Sequence, residues 1–227
     1  MEIAASVSYR SLPLLCLLGL LTGTALADEC DQLPPPAVTL QRLDAPLGMN
    51  LQYGYKTLTN LGAELGPPGK AVLGLTRGNA IVKFEIRIPA FIAPGSRMEC
   101  ASPQINVVYG FKPMTVYVAR EFPAGSCAYK EIYEHELRHV KTYQDHLASI
   151  EKDIAATLSK RFATGGPWRG PVGETRARLQ DELDNRWLPY ISREISRVKT
   201  AQALIDTAEE YARVAESCDG EIKRKIR

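Results

Sequence analysis

From Ala80 to Ile88 the chain alternates strictly. Val82, Phe84, Ile86 and Ile88 are apolar, and Lys83, Glu85 and Arg87 between them are charged. A period of two marks a strand with one buried face. Residues 51–55, 71–76, 105–109 and 114–120, rich in Val, Ile and Tyr, are further candidate strands. Gly- and Pro-bearing stretches at 66–69, 77–79 and 94–96 separate them. From Cys127 the period changes to about 3.6: Leu137, Val140, Tyr143, Leu147, Ile150, Ile154 and Leu158 recur at three and four. This predicts one amphipathic helix over 127–162, with Ser126 as its N-cap. The run TGGPWRGPVG, 164–173, ends it. A second helical segment is expected over about 174–200. A third opens at Asp206 or Thr207, where acidic residues fill the first turn, and ends near Cys218-Asp219-Gly220. Strands followed by helices predict an α+β fold in one domain, with a strand-rich part over 28–125 and a helical part over 126–227.

The ends and the charge narrow the setting. Residues 11–21 (SLPLLCLLGLL) are an apolar run preceded by Arg10 and followed by Ala25-Leu26-Ala27, the pattern of a cleaved secretory signal peptide over 1–27. The run falls short of the roughly 20 residues a bilayer span needs, and no later stretch is apolar for that long. A periplasmic or secreted protein with no membrane span after cleavage is expected. A net charge of +2 with both signs interspersed carries no electrostatic footprint for nucleic acid. Of five cysteines, Cys30, Cys100, Cys127 and Cys218 lie outside the leader. In an exported chain they predict two disulfides, with three connectivities open. None forms a C-x-x-C pair, which argues against a cysteine zinc site.

The chain has only three histidines, and two of them stand four apart in EHELRHV, Glu134 to Val140. On a helix His135 and His139 project from one side and can face a single ion. Glu136 falls about 100° away, inside the apolar stripe of Val140, Tyr143, Leu147 and Ile154. A carboxylate facing the core needs a partner, and a water on a metal ion is one. This is the H-E-x-x-H arrangement of zinc peptidases, in which two imidazoles hold Zn²⁺ and the glutamate takes a proton from water as general base. A catalytic zinc takes a third protein ligand. His146 would stand about 10.5 Å further along a continuous helix. It could join, as could Asp145, only through a sharp bend after Thr142, where the chain has no glycine. An acid from the following helix, Glu174, Asp181 or Glu182, fits continuous helices better.

VYVAREFPAGSCAYKEIYEHELRHV, Val116 to Val140, together with the leader and the strand-rich first half, resembles the zincin-type predicted secreted zinc-dependent proteases of bacteria. The resemblance implies His135 and His139 as zinc ligands, Glu136 as the base, and a peptide or protein substrate in the cell envelope. It also implies a substrate-binding edge strand above the active-site helix, for which residues 114–120 are the candidate. Cys127 opens that helix and Cys100 lies shortly before the strands preceding it. Cys100–Cys127, with Cys30–Cys218 joining the termini, is therefore the pairing expected among the three. The alternatives are an exported metal-binding protein that turns nothing over, an envelope interaction protein in which HELRH is coincidence, and a hydrolase of cell-wall amides.

Overall fold

The computed structural model describes residues 29–43, 45–63 and 69–226. The leader lies outside them, as does most of the break expected at 66–69. The architecture is α+β, with strands in the first half and a long helix after them. Its axis is β6 (Gln104–Val118), the central strand of the main sheet. One edge of β6 pairs in parallel with β1 (Ala37–Arg42) and then β2 (Leu47–Asn50), end to end. The other edge pairs antiparallel with β3 (Gly74–Arg87). A short helix, α1 (Tyr55–Leu61), leads towards β3. A second, small sheet joins β4 (Ala90–Ile92), β5 (Met98–Ala101) and β7 (Trp168–Pro171).

Several expected boundaries move for identifiable reasons. The expected strands at 71–76 and 80–88 merge into β3, because Arg77-Gly78-Asn79 forms a bulge against β6 and not a turn. The expected strands at 105–109 and 114–120 likewise merge into β6 through Gly110, whose φ of +151° suits glycine alone. Residues 114–117 are therefore paired on both sides, and the edge-strand expectation for 114–120 fails. The strand expected at 51–55 falls earlier, as β2, and Tyr55 opens α1.

The helix read from periodicity is α2 (Cys127–Phe162), and Ser126 caps it by accepting from the Tyr129 amide at 3.1 Å. Its apolar face, including Ile132, Val140, Leu147, Ile154 and Leu158, packs into one buried cluster with Ile105, Val107, Tyr109 and Val116 of β6. The second helical segment is α3 (Glu174–Glu182) and α4 (Leu188–Ser196), joined by a π-helical turn (Leu183–Trp187), and then α5 (Val198–Ala203). Leu183, Trp187, Ile191 and Ile195 bury themselves in the same core. The third is α6 (Ala208–Glu216), with Thr207 as N-cap. The last element is α7 (Glu221–Lys225). Among the described residues no helix is long and apolar enough to cross a membrane.

The disulfides are Cys30–Cys100 and Cys127–Cys218, so the expected Cys100–Cys127 and Cys30–Cys218 pairing is wrong. Strand geometry gives the reason. Cys100 precedes β6 and Cys127 follows it, and a strand of 15 residues separates its ends by about 50 Å. Cys127 meets the chain end of α6 instead, 91 residues on.

Glu99 of β5 closes the small sheet onto α3. Its buried carboxylate accepts from the amides of Gly173 (3.0 Å) and Thr175 (3.1 Å), the first turn of that helix. The Gly173 amide and then the Thr175 hydroxyl hold the acid below its ordinary 4.5, against the opposing effect of burial. A depressed folded-state value contributes stability that is present above the unfolded value and lost as pH falls through the folded one. Glu99→Gln is therefore expected to cost about 1 kcal/mol at pH 7, by analogy with lost N-caps. The gap to wild type closes as urea unfolding is repeated at pH values falling below 4.5.

Candidate metal centre

Two turns of α2 and the segment that enters α6 build the site. His135 and His139 are buried, and their Nε2 atoms stand 3.2 Å apart. Asp206 Oδ1 lies 3.1 Å from the first Nε2 and 3.3 Å from the second. The three donors form a nearly equilateral triangle. Ligands about 2.0–2.1 Å from one tetrahedral ion stand about 3.3–3.4 Å from each other, so this triangle is one face of such a site.

The outer nitrogens fix which atoms face inward. Gln202 of α5 clamps His139: its Oε1 lies 2.5 Å from Nδ1, and its Nε2 donates to the His139 carbonyl at 3.1 Å. The amide is thus oriented with its oxygen towards Nδ1, which therefore carries the proton. Glu210 of α6 places a carboxylate oxygen 3.2 Å from His135 Nδ1. Arg138 and Arg213 grip Glu210 in turn, Arg213 at 2.9 Å, and Arg138 also lies 2.8 Å from His135 Nδ1. The His139 Nε2 lone pair, His135 Nε2 and a carboxylate oxygen thus converge on one point. A borderline divalent ion suits a site of two imidazoles and a carboxylate.

Glu136 sits beside this triangle, 3% exposed, as its place in the apolar stripe predicts. His135, Glu136 and His139 offer ligand atoms within 4.8 Å of one another, a group able to bind a metal ion. Asp206 completes the tighter set, because it touches both imidazoles and because Glu136 Oε2 already accepts from Thr76 Oγ1 at 2.8 Å. Burial raises the Glu136 carboxyl above the usual range, while His139, His135 and Thr76 pull it back down. Burial pushes His139 down but is outweighed by Asp206 and Glu136, which leave it raised. Asp206 resists the same burial effect and is held at about 2 by the two histidines. The β3 backbone comes so close at Gly74 that a side chain there would collide with Glu136 and stand 2.7 Å from Ile132 Cγ2. Only glycine fits.

None of the third-ligand candidates chosen from sequence reaches the triangle. Glu174 is exposed in the first turn of α3. Asp181 accepts from Asn185 at 2.7 Å, and Glu182 pairs with Arg161 at 2.5 Å. Asp145 pairs with Lys141 on the solvent face, and His146 donates to the Glu194 carbonyl at 2.8 Å, fastening α2 to α4. Asp206 itself reads in sequence as an acid at a helix start. One signal was present: Thr207-x-x-Glu210 spells a capping box, and the Thr207 hydroxyl does accept from the Glu210 amide. The Glu210 side chain turns instead to His135.

The Cys127–Cys218 bridge joins the first residue of α2 to the far end of α6, and so holds the Asp206 segment against the histidines. Asp206→Ala is expected to lose the divalent-metal binding that Glu174→Ala, Asp181→Ala and Glu182→Ala retain, measured by metal analysis of folded protein. Replacing Cys127 and Cys218 together by serine is expected to weaken divalent-metal binding about tenfold or more, the scale of lost supporting contacts. Removing Cys30 and Cys100 in the same titration is expected to leave it nearly unchanged. Compared with family models, curated proteins and solved structures, the chain matches none, and the reading of this centre rests on its own geometry.

Proposed function

We propose that the protein is an exported zinc-dependent peptidase acting on peptide or protein substrates of the cell envelope. The observation that carries the reading is the His135–His139–Asp206 triangle with a buried, non-ligating carboxylate, Glu136, at its side. His135, His139 and Asp206 would hold the ion through three N/O donors, the composition of a catalytic zinc site and not of a closed structural one. Asp206 and Glu136 together balance the ion's two positive charges, which accounts for two acids in so dry a place. Zinc held there supplies a Lewis acid for a carbonyl oxygen and makes a nearby water more acidic.

The remaining work belongs to the chain's own groups. Glu136 accepts a proton at the oxygen that Thr76 leaves free, and burial makes it a stronger base than an exposed carboxylate. The same acid then delivers that proton to the leaving amine. Thr76 keeps Glu136 turned towards the triangle, and Gly74 lets β3 close over it so that bulk water is excluded. Gln202 holds His139 in its binding tautomer, and Glu210 supports the His135 ring from α6. Export is supported by the leader pattern and by two disulfides, which persist in oxidising compartments.

Glu136→Gln tests the proposal. It is expected to keep about one zinc per chain and to lower peptide hydrolysis by about 10²–10⁴-fold, the usual contribution of a general base. A variant that hydrolyses peptides at the wild-type rate refutes the mechanism. Zinc-loaded wild type that cuts no peptide makes the chain a metal-binding protein.

A further inference from the structure

The site opens into two unlike cavities. One, of about 310 Å³, lies against His135, Glu136 and Gly74, and its walls are apolar: Leu73, Ile132, Val214, Ala215 and Ile226. The other, of about 260 Å³, also touches Glu136 and Gly74, and mixes Val72, Leu75 and Ala203 with Thr76, Lys199 and Gln202. Tyr211 borders both, with its ring 6.5 Å from that of His135. Glu136 therefore borders both cavities.

We infer that the apolar cavity receives one large apolar side chain of the substrate, next to the bond that is cut. This deepens the peptidase reading and rests on it for the identity of the substrate. The volume is at the lower limit of small-molecule sites, about 300–1,000 Å³, which suits a single side chain and not an extended ligand. The charges at the cavity do not provide for a charged guest. Lys223 and Glu216 pair with each other at 2.7 Å, Glu210 is held by Arg138 and Arg213, and Lys70 is exposed to solvent. A carboxylate or ammonium entering would lose water without gaining a buried partner, whereas an aliphatic or aromatic group gains from leaving water. Two walls, Val214 and Ala215, belong to α6, and Ile226 follows α7, so the pocket is built by the same C-terminal segment that brings Asp206 to the histidines. Ala215 is a small wall residue on α6, where added bulk would narrow the cavity.

The test uses the zinc-loaded full chain and blocked pentapeptides Gly-Gly-X-Gly-Gly in which X is phenylalanine, leucine, glycine or aspartate. Binding is measured by calorimetry on Glu136→Gln, which does not consume the peptides, and cleavage is measured on wild type. Phenylalanine and leucine are expected to bind about tenfold or more tighter than glycine and aspartate, the scale of discrimination in an apolar pocket. Ala215→Trp, which fills the cavity, is expected to bring that ratio below about threefold while zinc content stays the same. The wild-type-pocket ratio decides the matter even if Ala215→Trp does not fold. Equal binding of all four peptides, with cleavage of all by wild type, overturns the pocket and leaves the peptidase reading standing. Apolar preference in binding with no cleavage by zinc-loaded wild type supports the pocket and overturns the peptidase reading.

Discussion

Glu136 carries its carboxylate on the sheet-facing side of a helix, where water is excluded, and the fold around it is arranged to compensate that charge. An unpaired buried acid is costly. Here it has the Thr76 hydroxyl on one side and the two histidines on the other. Thr76 can reach it only because β3 passes close to α2, and β3 can pass that close only because position 74 has no side chain. The register of the main sheet and the placement of one acid are thus a single constraint.

The histidines impose a second arrangement on the C-terminal third. A helix can present two imidazoles but offers no third ligand at the same height, since each turn advances about 5.4 Å. The chain therefore returns to α2 through α3, α4 and α5, which pack Leu183, Trp187, Ile191 and Ile195 into the common core. It arrives with Gln202, Asp206 and Glu210 in succession, and all three meet the histidines. That return is fastened at the far end by Cys127–Cys218 and in the middle by His146 on the Glu194 carbonyl. The third histidine is thus a fastener for the segment that supplies the ligand and not a ligand itself. The same return supplies walls of the cavity beside His135, so Asp206 and those walls come from one stretch of chain.

What was legible in the sequence was local. The 3.6 period locates α2 and its cap, because burial of one helix face needs only neighbours three and four residues apart. His135, Glu136 and His139 fall within two turns, so their relative positions follow from helix geometry alone, and the burial of Glu136 follows from its place in the stripe. The order of strands and helices likewise implies an α+β arrangement.

Tertiary structure decided everything that joins distant segments. Asp206 stands 67 residues from His139 in sequence, and nothing in its neighbours distinguishes a ligand from an acid at a helix start. The merging of four expected strands into β3 and β6 depends on how a bulge at Gly78 and the glycine at 110 sit against a partner strand. The disulfide pairing depends on the length of β6, which carries Cys100 and Cys127 to opposite ends of the sheet. Periodicity reports which face of an element is buried, whereas long-range pairing is chosen by the packing of whole elements. For this chain the sequence determined the helix, its two histidines and its acid, and only the fold decided which third residue completes the centre.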